Sequence, residues 1–154
     1  MDSIIDIKYY LPHRAPMLMV DMILKMDDVT VETFFKIKSD NIFIQNNNFI
    51  EAGLIENAAQ TCSAIVAKDY FVDENNKDKN NVDIIGFISA IKTLNILALP
   101  KVDNTITTFA TLESKFVAES YTLCTMHCKS YKNDQLLLEG EINLFIQEIS
   151  KLVT

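Results

Sequence analysis

From Val82 to Glu148 the chain is almost entirely strand-forming. Four runs, VDIIGFISAIKTLNILALP, NTITTFATLESKFVA, SYTLCTMHCKSYKN and QLLLEGEINLFIQE, are rich in β-branched and aromatic residues. Turn-forming residues at Asn104, Glu119-Ser120 and Asn133-Asp134 separate them. Connections this short favour hairpins, so the expectation is four strands in hairpin succession, an antiparallel meander. The first run is long enough to bend, at Gly86 or at Ala90. Upstream lie two more strand-like stretches. MLMVDMILKM, from Met17, is apolar apart from Asp21 and Lys25, and VTVETFFKIKS, Val29 to Ser39, alternates as a half-buried strand does, with Asp27-Asp28 as the turn between them.

Between the two sets stands NNNFIEAGLIENAAQTCSAIVAKDYF, residues 46–71, with the composition of a buried helix. Asn48 followed by Glu51 has the spacing of a capping box, so the helix is expected to open there, after the polar gap QNNN, and to run to about Tyr70. Small residues at 58, 59, 63, 64 and 67 suit it to lying flat against a sheet. One long central helix wrapped by an antiparallel sheet of about six strands, two before the helix and four after, is an α+β architecture with the outline of a hot-dog fold. Such a sheet leaves much free edge, so a homodimer or higher oligomer is expected. DENNKDKNN, Asp73 to Asn81, reads as a solvated loop, and too few residues flank it for two cores, so residues 1–154 are expected to form a single domain.

Charge and composition narrow the function. A net charge of -7 repels phosphate backbones and argues against nucleic acid as a partner. No segment reaches the roughly 18–20 consecutive apolar residues of a membrane span. The start, MDSIIDIKYYLPH, lacks the basic and apolar regions of a signal peptide, which points to the cytoplasm. Three cysteines, Cys62, Cys124 and Cys128, suit reduced core thiols better than a disulfide framework. With only His13 and His127 as imidazoles, ligands for zinc are scarce, and neither a metal nor a cofactor is expected.

Three residues break the apolar helix: Glu56, Asn57 and Gln60. A buried carboxylate is costly without a partner or a task. Burial is expected to raise its pKa, so that it holds a proton near neutral pH. Two more residues stand out within LPHRAP: Arg14, the sole arginine, and His13 between Pro12 and Pro16. The alternative for His13 is a structural turn fixed by the two prolines, and for Glu56 a buried acid satisfied by amides or by His13. Asn57 has a second orientation open to it, facing away to bond the sheet. His127 alternates with Leu123, Thr125 and Lys129, opposite Cys124, Met126 and Cys128, and reads as a surface histidine.

Three stretches resemble the (3R)-hydroxyacyl-acyl-carrier-protein dehydratases: LPHRAPMLMVDMI (Leu11 to Ile23), IENAAQ (Ile55 to Gln60), and IIGFISAIKTLNILALPKVDNTI (Ile84 to Ile106). The loop before the helix, FIQNNNFIEAG, lacks the Gly-His-Phe-Pro-Gly element that carries that family's catalytic histidine. In this the chain is similar to a divergent branch found with aryl polyene and flexirubin pigment clusters. The resemblance implies dehydration of 3-hydroxyacyl thioesters carried on acyl carrier protein. Glu56 would be the acid, Gln60 would orient it, and the first-turn amides of Ala52 and Gly53 would face the substrate with Asn57. The missing base is either His13 or the loop histidine of a partner subunit in a heterodimer. Arg14, with Lys92 or Lys101, would meet the acidic carrier. The competing readings are a hot-dog acyl thioesterase, with Glu56 activating water, and a catalytically impaired partner subunit that binds acyl chains.

Overall fold

The computed structural model describes residues 5–71 and 84–149, so the loop expected at 73–81 falls outside the described residues. A short 3₁₀ turn, Ile7–Tyr9, leads into β1 (Met22–Met26) and β2 (Thr30–Lys36). A two-residue hairpin follows, β3 (Ile44–Gln45) with β4 (Asn48–Phe49), then α1 (Glu51–Phe71). The remainder is β5 (Ile84–Ile96), β6 (Thr105–Val117), β7 (Tyr121–Lys132) and β8 (Gln135–Glu148). Six strands form one antiparallel sheet in the order β1-β2-β6-β7-β8-β5. This is the expected helix and six-stranded sheet, two long strands from before α1 and four from after it.

Alternation sets the sheet's two faces. Thr122, Cys124, Met126, Cys128 and Ser130 of β7 point inward, as do Leu138, Ile142, Leu144 and Ile146 of β8, all buried against α1. All three cysteines are buried, and none is in a disulfide. At the β1–β2 turn the Asp27 carboxylate accepts from the amides of Val29 and Thr30, at 2.8 and 2.6 Å, and these bonds hold its pKa below the ordinary aspartate value.

Three local readings require correction. Only β6, β7 and β8 form a meander: β5 pairs with β8 at the far edge, and Leu97 to Asn104 carry the chain across the end of the sheet to β6. A sequence shows turn residues but not which strands they join, and Pro100 and Asn104 here serve a crossing that bonds Phe49 and Ile37 on the way. Second, QNNN is not a gap. Asn46 and Asn47 both take positive φ, 51° and 63°, which makes the tight β3–β4 turn, and Asn48 lies in β4 instead of capping α1. The helix starts at Glu51, with Ile50 accepting from the amides of Gly53 and Leu54. Third, Met17 to Val20 are not strand. They form a strap laid across α1, and β1 begins only at Met22. The bend in β5 comes at register shifts between Ile88 and Ala90 and between Ile91 and Thr93, whereas Gly86 pairs regularly with Ile146.

Candidate active site

Helix α1 is buried nearly all round, by the sheet on one side and the strap on the other. Its partly open stripe runs through Glu56, Ser63 and Tyr70, two turns apart each time. Beside this stripe lies a cavity of about 200 Å³. Ala59, Ser63 and Ala67 form its helical wall, Ile84, Gly86 and Ile88 of β5 with Leu144 and Ile146 of β8 form the opposite one, and Tyr10, Pro12, His13 and Glu56 stand together at one end. Of the small residues of the helix, Ala58, Ala59, Ala64 and Ala67 all belong to the core, and 59, 63 and 67 also leave room along the cavity.

His13 Nε2 stands 3.8 Å from Glu56 Oε1, with about a quarter of each side chain exposed. Burial pushes the imidazole pKa below its ordinary value; Glu56 opposes that shift and Arg14 adds to it. The ring is thus favoured in its neutral form, able to accept a proton. Its Nδ1 is buried and makes no hydrogen bond among the described residues.

The two helix amides are spent on structure. Gln60 accepts from the Met19 amide at 2.7 Å and donates to the Met17 carbonyl and to Glu56 Oε1, each at 2.8 Å. Asn57 donates to the Met19 carbonyl at 2.7 Å and accepts from Thr108 at 2.6 Å, and Thr108 in turn meets Ser130. Both amides read the backbone of the strap much as a neighbouring strand would. Gln60 also reaches the site, because its amide fixes the carboxylate that faces His13.

The other candidates fall elsewhere. Ala52 and Gly53 are not part of the cavity wall. The Gly53 amide is bonded to Ile50, and a Cβ there would come within 2.5 Å of the Phe49 ring, so this glycine serves close packing. Arg14 turns back on its own segment, donating from Nη1 to the carbonyls of Leu11 and His13 at 2.7 and 2.8 Å. Lys92 is paired with Glu141 across the sheet. His127 lies on the face away from α1, 3.2 Å from Glu139. Tyr10, Ser63 and the start of β5 were missed as site residues. Only Ser63 carried a signal, its seven-residue spacing from Glu56.

Among the described residues no group of three or more His, Cys, Asp or Glu is arranged to hold a metal. No described helix is long and apolar enough to cross a membrane.

Residues 5–154 match the family model of the ApeP dehydratases. The chain belongs to the ApeP-like dehydratase family. As an ApeP-like chain it is similar over 97% of its length, and 98% of the other's, to a chain of the dehydratase heterocomplex ApeI:P from Xenorhabdus doucetiae, at 16% identity and a TM-score of 0.76. A hypothetical thioesterase with coenzyme A from Streptococcus pneumoniae is similar at 15% identity and TM-score 0.57, covering 82% of this chain and 84% of that one. The PaaI protein of E. coli, from the phenylacetic acid degradation operon, is similar at 10% identity and TM-score 0.54, over 79% of each chain. At these identities the structures share the fold with the ApeP-like chain. No curated protein sequence matches it.

Proposed function

We propose that the chain acts as a lyase of the dehydratase type on 3-hydroxyacyl groups carried as thioesters on acyl carrier protein. The supporting observation is the His13–Glu56 pair, 3.8 Å apart at the end of an apolar cavity. Neutral His13 takes the C2 proton, the C2–C3 double bond forms as the C3–oxygen bond breaks, and Glu56 gives the departing hydroxyl a proton to leave as water. Transfer of the captured proton from His13 to Glu56 restores both groups. Gln60 keeps the carboxylate turned toward the imidazole. The test is incubation with a 3-hydroxyacyl-carrier thioester, followed by detection of the conjugated enoyl product. Glu56→Gln is expected to lower turnover by about 10²–10⁴-fold. Free acid as the product would instead indicate a thioesterase.

A second reading concerns assembly. β5 lies at the sheet edge over thirteen residues, exposes Ile85, Phe87 and Ile91, and borders the cavity. We infer that a second hot-dog dehydratase subunit pairs along this edge and closes the cavity, in keeping with the heterocomplex of the similar chain. Enoyl product that forms only when a histidine-bearing subunit is added would favour this reading, and product from the homodimer alone would oppose it.

A further inference from the structure

His13 is held in an unusual manner for a base. Proton-transfer imidazoles are commonly oriented by a hydrogen bond from the second ring nitrogen to a third group. Here Nδ1 is buried and has no such partner among the described residues. The ring's direction must then come from the backbone that carries it. That backbone, Leu11 to Pro16, includes two prolines and is short of amide donors for its own carbonyls. The one arginine of the chain supplies them, with Nη1 on the Leu11 and His13 carbonyls and Nη2 at 3.5 Å from the Lys8 carbonyl. The Arg14 carbonyl in turn accepts from the amides of Met17 and Leu18, where the strap begins.

We propose that Arg14 is a positioning residue, whose guanidinium gathers the carbonyls of Leu11 and His13 and so aims the His13 imidazole at Glu56. The guanidinium spreads its donors over three carbonyls, Leu11 and His13 on Nη1 and Lys8 on Nη2, and holds them in one plane, an arrangement that the point-like ammonium of lysine does not fix. The same cation favours the neutral ring. From α1 the charged group facing His13 is Glu56; its own segment contributes Arg14 and the phenol of Tyr10, and the residues of β5 and β8 that line the cavity, Ile84, Gly86, Phe87, Ile88, Leu144 and Ile146, carry no charge. This rests on His13 acting as the base, and it departs from the expectation that Arg14 receives the carrier.

The experiment exploits the small number of such residues. In a His127→Ala background His13 is the sole imidazole, so one ring resonance reports it by NMR. Arg14→Lys keeps the charge and loses the planar set of donors; it is expected to shift that resonance and to lower kcat about 10–100-fold, as a misplaced catalytic group does, with KM changed by less than about twofold. Arg14→Gln also removes the charge, and is expected to raise the His13 titration midpoint and to move the acid limb of the pH–rate profile upward. An unchanged His13 resonance in both variants, or a loss confined to KM, overturns the proposal and points to carrier docking. Where the variants do not fold, the native protein answers: as the sole guanidinium, Arg14 is expected to show separate, slowly rotating Nη resonances, and a single averaged signal overturns the proposal. Normal turnover by His13→Gln would reject His13 as the base, while the ring resonance would still decide whether Arg14 positions it.

Discussion

Glu56 is not sealed from water. A quarter of its side chain is exposed, and its fixed direction comes from Gln60, one turn further along α1. Its partner His13 carries the clearer electrostatic signature. A histidine whose pKa is lowered by folding binds fewer protons folded than unfolded, so its contribution to stability is complete above the unfolded value near 6.5 and is lost as pH falls through the folded one. The native protein is therefore expected to lose stability on acidification below about pH 6.5. Replacement of His13 by glutamine should flatten that part of the profile, measured as the melting temperature from pH 7.5 to 5. Both residues stand out in the sequence, one by interrupting an apolar helix and one by its place between prolines. Asn57 takes the second orientation open to it and bonds the sheet through Thr108 of β6, whereas the fate of Ala52 and Gly53 was not legible there, because a small residue in a helix looks the same whether it meets a ligand or an aromatic ring.

Among the elements, the strap depends on the helix most sharply. Asn57 is buried and bonds both the Met19 carbonyl and the Thr108 hydroxyl, so Asn57→Ala takes this donor from the buried Met19 carbonyl and leaves the Thr108 hydroxyl with Ser130. The expected cost is about 2–3 kcal/mol, read as a fall of roughly 5–10 °C in melting temperature. β5 depends on β8 in another way. A Cβ at Gly140 would come within 2.6 Å of the Thr93 carbonyl, beside a register shift in β5. Gly140→Ala must displace backbone, and should expose the amides of β5 to faster hydrogen exchange than those of β2. Strand count and inward faces followed from period-two alternation. The β5–β8 pairing did not, since pairing across the sheet is decided by packing on α1 and not by the turn residues nearby. The Asn46-Asn47 hairpin was written in the sequence as a turn signal but stood without flanking hydrophobic alternation.

At the scale of the whole molecule, the proposed association along β5 makes its own prediction. Ile85→Lys and Ile91→Lys place charge on an exposed apolar edge and leave the core untouched. They are expected to convert an associated species to the monomer in sedimentation while the melting curve of the fold is retained. The outer face of the sheet adds an aromatic row toward that edge. Phe116 lies 6.3 Å from Tyr121, Tyr121 stacks on Phe145 at 5.0 Å, and Phe145 on Phe87 at 5.0 Å. The row ends on β5, so its last ring is expected to become shielded when a partner pairs there, a change readable in the Phe87 ring protons.

The strap has a temporal consequence as well. Residues that must touch for the site to exist are separated by 38 to 43 positions along the chain, joined through the side chains of Asn57 and Gln60. Such distant meetings are slow to close. During synthesis the imidazole emerges first and waits without its acid until the helix has been made, so the newborn polypeptide passes through an inert stage before it gains its pair.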